Sequence, residues 1–198
     1  MAGVRWLAFA ILGLGACAPQ REVAPVNPEG SDLAVYRSVL DSMFVPHRVG
    51  AIQQVVVFDS TRLISEHELR FLYSQFTQLP GVDSATVRNL FDRSHDARSL
   101  TPLSHLDLAV PVGLIDRKTL AQFPQNNPDF FWSQFYRLYP RSAGFAVFSG
   151  VGYNATRDVA ILTTDFSCGT LCGNGYLIVI KRVGGAWKIA TIHHTWVS

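Results

Sequence analysis

GFAVFSGVGYNATRDVAILTTDFSCGTLCGNGYLIVIKRVGGAWKIATIHHTWVS, residues 144–198, is the stretch that decides the fold. Its runs at 144–153, 157–166, 175–183 and 186–197 are rich in β-branched and aromatic residues, the composition of β-strands. A polar turn at 154–156 joins the first pair of runs, and Gly184-Gly185 joins the last pair as the tight turn of a hairpin. Because short links permit only antiparallel neighbours, the stretch predicts a four-stranded antiparallel meander.

The chain before this stretch carries helical signals, each an N-cap residue followed by apolar residues at helical spacing. The predicted helices are residues 32–43 with Ser31 or Asp32 as the cap, a segment behind the capping-box pair Ser65 and Glu68, a segment behind Asp83 or Ser84, and a segment from Pro128 to the residue before Pro140. Residues 51–58 and part of 106–115 have strand composition. We expect one α+β domain over 31–198, with the preceding helices covering one face of the meander.

The N-terminus has the three parts of an export signal. Arg5 supplies a positive charge, and residues 6–14 form an apolar run too short to span a bilayer. Leu14-Gly15-Ala16-Cys17 then resembles the lipobox of bacterial lipoproteins. The resemblance implies that residues 1–16 are removed and that Cys17 is lipidated. An ordinary signal peptide cut nearby, or a short transmembrane anchor, stays open as the alternative.

Residues 17–30 are expected to comprise the lipidated Cys17 and a flexible tether, because residues 18–30 are rich in proline and have no periodicity. The expected location is the cell envelope, with the membrane contacted through the N-terminal lipid. Ala18 favours the outer membrane if the host is Gram-negative. The chain has a net charge of +2 without a basic cluster, so no nucleic-acid partner is expected. No cofactor is expected either.

Cys168 and Cys172 are the cysteines that remain if Cys17 carries a lipid. In an oxidising compartment they predict a disulfide that closes a small loop. A redox-active pair and half of a metal site are the alternatives. The metal alternative lacks a second cysteine pair, and the spacing differs from the Cys-x-x-Cys of thioredoxin-type sites.

Candidate catalytic residues are few. His193 and His194 are adjacent on a predicted strand, so their side chains should point to opposite faces. If the domain is an enzyme, one of these histidines is the candidate acid/base, with Asp165 orienting it. A metal cluster of His95, Asp96, His105 and Asp107 would require their loop to fold back, and no metal site is predicted. Ser149 lacks the context of a nucleophile elbow.

Aromatic residues are concentrated in the last predicted helix. One helix face cannot bury all the rings between 130 and 139. They are therefore either core residues or, in part, an exposed contact patch. The candidate patch residues are Phe130, Trp132, Tyr136 and Tyr139.

The C-terminal third, residues 128–198, resembles a pattern found in bacterial exported or lipid-anchored proteins to which no activity is attached. Its elements here are Tyr139-Pro140, Ser142-x-Gly144, Ser149-x-Val151-Gly152-x-Asn154, Cys168-Gly169, Cys172-Gly173-x-Gly175-Tyr176, Lys181, Trp187-Lys188-Ile189 and Trp196-Val197-Ser198. The hairpin Gly185-Ala-Trp187-Lys-Ile189 also resembles the end of NTF2-like domains, whose helices close a cone-shaped pocket. Neither resemblance carries over a catalytic residue.

The leading hypothesis is a lipid-anchored envelope protein with a non-enzymatic binding or interaction domain. Its partner would be another envelope protein or a small apolar ligand. The alternatives are a small hydrolase with a site between helices and sheet, and a thiol-redox module that uses Cys168 and Cys172.

Overall fold

The computed structural model describes residues 24–25, 31–43, 53–108 and 111–198. Cys17, the predicted signal peptide and most of the predicted tether lie outside the described residues. The helices are α1 Ser31–Met43, α2 Glu66–Phe76, α3 Ser84–Arg93, α4 Arg117–Ala121 and α5 Pro128–Leu138, with a 3-10 turn at Thr101–His105. The strands are β1 Ala24–Pro25, β2 Gln54–Phe58, β3 Arg98–Ser99, β4 Val112–Ile115, β5 Ser142–Phe148, β6 Gly152–Tyr153, β7 Val159–Gly169, β8 Cys172–Val183 and β9 Ala186–Val197.

The main sheet is mixed, with the order β4-β2-β5-β7-β8-β9 and β6 paired to β7. Strands β5 to β9 pair antiparallel, which confirms the prediction for the C-terminal part. The described sheet has seven strands, however, and β2 lies parallel to both β4 and β5. The sequence shows that β2 and β4 are strands but not where they pair, because helical crossovers separate them from their neighbours and permit parallel pairing.

Helices pack on both faces of the sheet, whereas the sequence analysis placed them on one. Ala160 and Leu162 of β7 belong to an apolar cluster with α1, and their neighbour Ile161 belongs to another with α2 and α3. Adjacent strand residues point to opposite faces, so each face of β7 is covered. Farther along the second face, Phe135 of α5 packs on β2 in a third cluster.

Two of the predicted helix caps form, at Ser65 and Asp83, and Asn127 is a further cap that was not predicted. Ser65 accepts a hydrogen bond from the Glu68 amide, Asp83 accepts from the Thr86 amide, and Asn127 accepts from the Phe130 amide just before Pro128. The Thr86 hydrogen bonds lower the pKa of the Asp83 carboxyl. Such caps satisfy backbone donors that have no partner within the helix.

Asp32, one of the two cap residues considered for α1, has side-chain partners outside this helix. It lies within α1 and is buried, and its carboxylate accepts hydrogen bonds from Arg93 Nη2 at 2.6 Å and from the Tyr153 hydroxyl at 2.7 Å. Beside it, burial raises the pKa of Tyr36 well above its ordinary value, and the Asp32 charge adds to the rise. The ion pair therefore connects α1 to the end of α3 through the protein interior.

Candidate functional site

A cavity of about 330 Å³ lies on the sheet face that carries α2. Six of its lining residues carry the chemistry considered below: Arg62, Glu68, Phe71, Thr163, Asp165 and Trp196. Ile161, Thr163 and Asp165 are every second residue along β7, so all three side chains point to the same face of the sheet. Glu68 and Phe71 reach the cavity from α2, and Trp196 reaches it from the last strand.

Arg62 is at the centre of the polar part of this cavity. Its backbone amide donates to the Phe148 carbonyl at the end of β5, which fixes the position of the chain after β2. Its guanidinium contacts Glu68 Oε1 at 2.7 Å through Nη1 and donates to Thr163 Oγ1 at 2.6 Å through Nη2. Nε lies 3.6 Å from Asp165 Oδ2. One cation thus joins two carboxylates that are far apart in sequence.

These groups stay accessible. The side chains of Arg62, Glu68 and Asp165 retain 18%, 28% and 34% of their exposure. They are the charged residues that line the cavity, so its formal charge is −1. Contacts at this degree of exposure are screened by water, and the cluster alone contributes little to stability.

Trp196 lines the cavity from β9. It pairs across the sheet with Gly175, which in turn pairs with Asp165, so the three residues form one row over β7, β8 and β9. The indole Nε1 donates to Asp165 Oδ1 at 3.0 Å. A Cβ on Gly175 would lie only 2.0 Å from Nε1, and one on Gly173 would lie 2.7 Å from the same ring. The two glycines therefore leave the space that the indole occupies.

Gly175→Ala is expected to displace the Trp196 indole and break its bond to Asp165. The new methyl group overlaps the ring, and overpacking of this kind costs about 1–3 kcal/mol. The free energy of unfolding and the resonance of the Trp196 indole N–H measure the effect. Gly169→Ala in the same hairpin is the control, because a Cβ there meets its nearest atom at an ordinary 3.4 Å. An unshifted indole resonance in Gly175→Ala would contradict the arrangement.

The histidine candidates do not join Asp165. Both are exposed on β9, and their register partners Leu177 and Tyr176 point to opposite faces of the sheet. The His194 ring lies 4.7 Å from that of Tyr176. Among the described residues, no hydrogen bond or ion pair links either histidine to Asp165, whose partners are Arg62 and Trp196.

Cys168 and Cys172 form a disulfide, as predicted, with their Cα atoms 5.1 Å apart. It lies at the turn between β7 and β8, where Cys172 is exposed, Cys168 is half-buried and Leu171 is 84% exposed. The Tyr136 hydroxyl donates to the Cys168 carbonyl, which connects this turn to α5. A redox role for the pair stays a prediction.

The candidate aromatic patch divides into two groups. Trp132, Tyr136 and Tyr139 are partly buried and pack against the cluster around Phe135, whereas Phe130 is 51% exposed. Burial raises the pKa of the Tyr136 and Tyr139 hydroxyls, and the Asp116 charge adds to the rise for Tyr139. Both hydroxyls donate to backbone carbonyls, at Cys168 and Leu114. Their polar ends thus hold the helix to the sheet.

The four candidate metal residues are all exposed: His95 and Asp96 follow α3, and His105 and Asp107 lie at and just after the end of the 3-10 turn. The His95 ring packs edge-on against that of Phe91. Within residues 24–25, 31–43, 53–108 and 111–198, no group of three or more His, Cys, Asp or Glu side chains could hold a metal ion. In the same part of the chain, no helix combines the length and apolar character needed to cross a bilayer.

Comparisons with protein-family models, with curated proteins and with solved structures find no match to this chain. The likenesses drawn from the C-terminal pattern and from the last hairpin therefore stay predictions.

Sequence reasoning singled out Asp165 but missed its partner Arg62 and the ring of Trp196. Arg62 is six residues before Glu68 but 103 residues before Asp165, and the parallel pairing of β2 with β5 brings it close to Asp165. The one available signal was the Gly173-x-Gly175 spacing opposite a tryptophan. Glycines that share a face mark a close approach of another group.

Proposed function

We propose that the chain is a lipid-anchored envelope protein whose α+β domain binds a ligand in the cavity around Arg62. The lipid would be carried by Cys17, as the Leu14–Cys17 motif implies. The observation that carries the binding function is the arrangement of Arg62, Glu68 and Asp165 beside the Trp196 ring. Polar groups of fixed orientation next to exposed aromatic surface are typical of ligand sites.

The contacts that these side chains already make favour binding over catalysis. Each carboxylate is already engaged, Glu68 with Arg62 and Asp165 with both Arg62 and Trp196. Such contacts fix the direction of the remaining lone pairs, as recognition requires. A general acid or base would need a proton to exchange within reach of a reacting atom, and the candidate histidines lie outside this set of contacts.

The anchoring half of the proposal is tested by lipid labelling of the expressed chain. The full chain and a Cys168→Ser/Cys172→Ser variant are expected to incorporate labelled fatty acid and to partition into detergent. Cys17→Ser is expected to do neither, because the thiol that accepts the diacylglyceryl group is gone. Labelling that persists in Cys17→Ser would contradict lipidation at this residue.

The binding half is tested by screening small molecules against the full chain by NMR. Ligands are expected to shift the Trp196 indole resonance, assigned by its loss in Trp196→Phe. Phe71→Ala should weaken binding, because Phe71 lines the cavity. Tyr73→Ala on the same helix is the matched control: its ring is also exposed but is not part of the lining. Ligands that shift only residues around Phe58 and Leu120, which line a separate cavity, would contradict this site.

A second candidate function is hydrolysis, and the observation that favours it is the presence of two carboxylates in one cavity. Paired carboxylates are the usual acid and base of such enzymes. Turnover of model esters or glycosides that disappears in both Glu68→Gln and Asp165→Asn would support it. Binding without turnover supports the first candidate.

A further inference from the structure

We infer that the cavity around Arg62 selects an organic cation, a primary ammonium or guanidinium group carried on an apolar or aromatic stem. This inference rests on the proposed binding function and names its ligand class. It follows from the charge of the lining, from the oxygen atoms left for a ligand and from the rings that flank them.

The charge of the lining favours a cation over an anion. Glu68 and Asp165 together outweigh Arg62, whose Nη atoms are taken up by Glu68 and Thr163. An anion would have to displace one carboxylate from the guanidinium and would still face the other. A cation adds a favourable contact to carboxylates that are only partly exposed, where attraction is stronger than in bulk water.

The carboxylate oxygens have capacity for a further donor. Each carboxylate can accept about four hydrogen bonds. Among the described contacts, Glu68 meets Arg62 through Oε1, and Asp165 divides its oxygens between Trp196 and Arg62. An ammonium or guanidinium group brings several donors and no acceptor, so it can use these lone pairs without creating an unpaired group.

The rings define the rest of the ligand. The side chains of Trp196 and Phe71 are 41% and 48% exposed, and both line the cavity. Aromatic faces attract cations and pack against apolar stems or rings. The volume of about 330 Å³ is at the small end of ligand sites, so it fits a group of side-chain size.

The test uses three probes that share a phenyl ring and differ in charge: 2-phenylethylamine, 2-phenylethanol and phenylacetate. Each is titrated into the full chain while the Trp196 indole resonance is followed. The amine is expected to bind at least about fivefold tighter than the alcohol, the scale of one screened charge contact, with phenylacetate weakest. Added salt is expected to reduce the advantage of the amine.

Variants locate the effect. Glu68→Gln and Asp165→Asn should each lower amine affinity by about fivefold or more and leave phenylethanol affinity nearly unchanged, because only a charge is removed. Glu66→Gln is the matched control, an exposed acid on the same helix that does not line the cavity. Unchanged amine affinity in both cavity variants overturns the inference.

The outcomes separate the ligand class from the binding function. If phenylacetate, phenylethanol or a neutral disaccharide binds at Trp196 as tightly as the amine, the cation class is wrong and the cavity remains a binding site. If neither the probes nor any screened compound moves the Trp196 resonance, the proposed binding function fails as well.

Discussion

Replacing Arg93 by methionine is expected to lower the free energy of unfolding by about 3–5 kcal/mol. The substitution leaves Asp32 as an unpaired charge in the interior, where its side chain retains 2% of its exposure. Arg93 also donates from Nε to the Val151 carbonyl at 2.6 Å, and its guanidinium lies over the Tyr153 ring. Methionine can replace the packing of the stem but none of these polar contacts. Chemical denaturation of the full chain measures the change.

Two variants isolate the cause of this loss. Arg88→Met on the same helix removes an exposed cation and should change the free energy of unfolding by less than about 0.5 kcal/mol. The double variant Asp32→Asn/Arg93→Met should be more stable than Arg93→Met alone, because asparagine removes the buried charge and can still accept from Tyr153. A double variant that is less stable than Arg93→Met would show that the ion pair is not the cause.

The case of Glu68 shows how far local sequence signals reach. The capping-box pattern predicts a helix behind Ser65, and α2 does begin there with Ser65 as its cap. The Glu68 carboxylate nevertheless contacts Arg62 rather than the backbone before the helix. The cap is a contact between residues three apart, which the sequence displays directly. The contact with Arg62 depends on where the chain after β2 runs, and that is fixed by tertiary packing.

Helix cover on the second face of the sheet was predictable from the sequence, although cover on only one face was expected. Residues 159–162 and 177–180 are continuous apolar runs, and such runs are typical of strands buried on both faces. A strand with one wet face alternates instead, as β9 does over much of its length. The parallel position of β2 between β4 and β5 carries no comparable signal, since periodicity reports burial but not the partner.

The position of the cavity depends on local strand pairing and on tertiary packing. Asp165 and the glycines opposite it follow from the strand register of the last hairpins, which short turns determine. Arg62 enters the site from outside that meander. The sequence could therefore indicate an acidic residue beneath a tryptophan, but the cation that connects Asp165 to Glu68 required the full fold.

Phe135→Ala is expected to lower the free energy of unfolding by about 3–5 kcal/mol, whereas Phe130→Ala should change it by less than about 0.5 kcal/mol. Both residues belong to the aromatic segment of α5, which makes them a matched pair. Phe135 is fully buried against the rings of Trp132, Tyr139 and Phe145, so truncation leaves a cavity between α5 and the sheet.

Phe130 is half exposed, and its truncation mainly removes surface in contact with water. Both effects are measured as shifts in the denaturation midpoint, provided that the slope of the free energy of unfolding against denaturant concentration is unchanged. Equal losses in the two variants would contradict this division of the aromatic segment. Loss of partner binding in Phe130→Ala without loss of stability would instead assign a contact role to the exposed ring, because a residue that contributes little to folding can be retained for recognition.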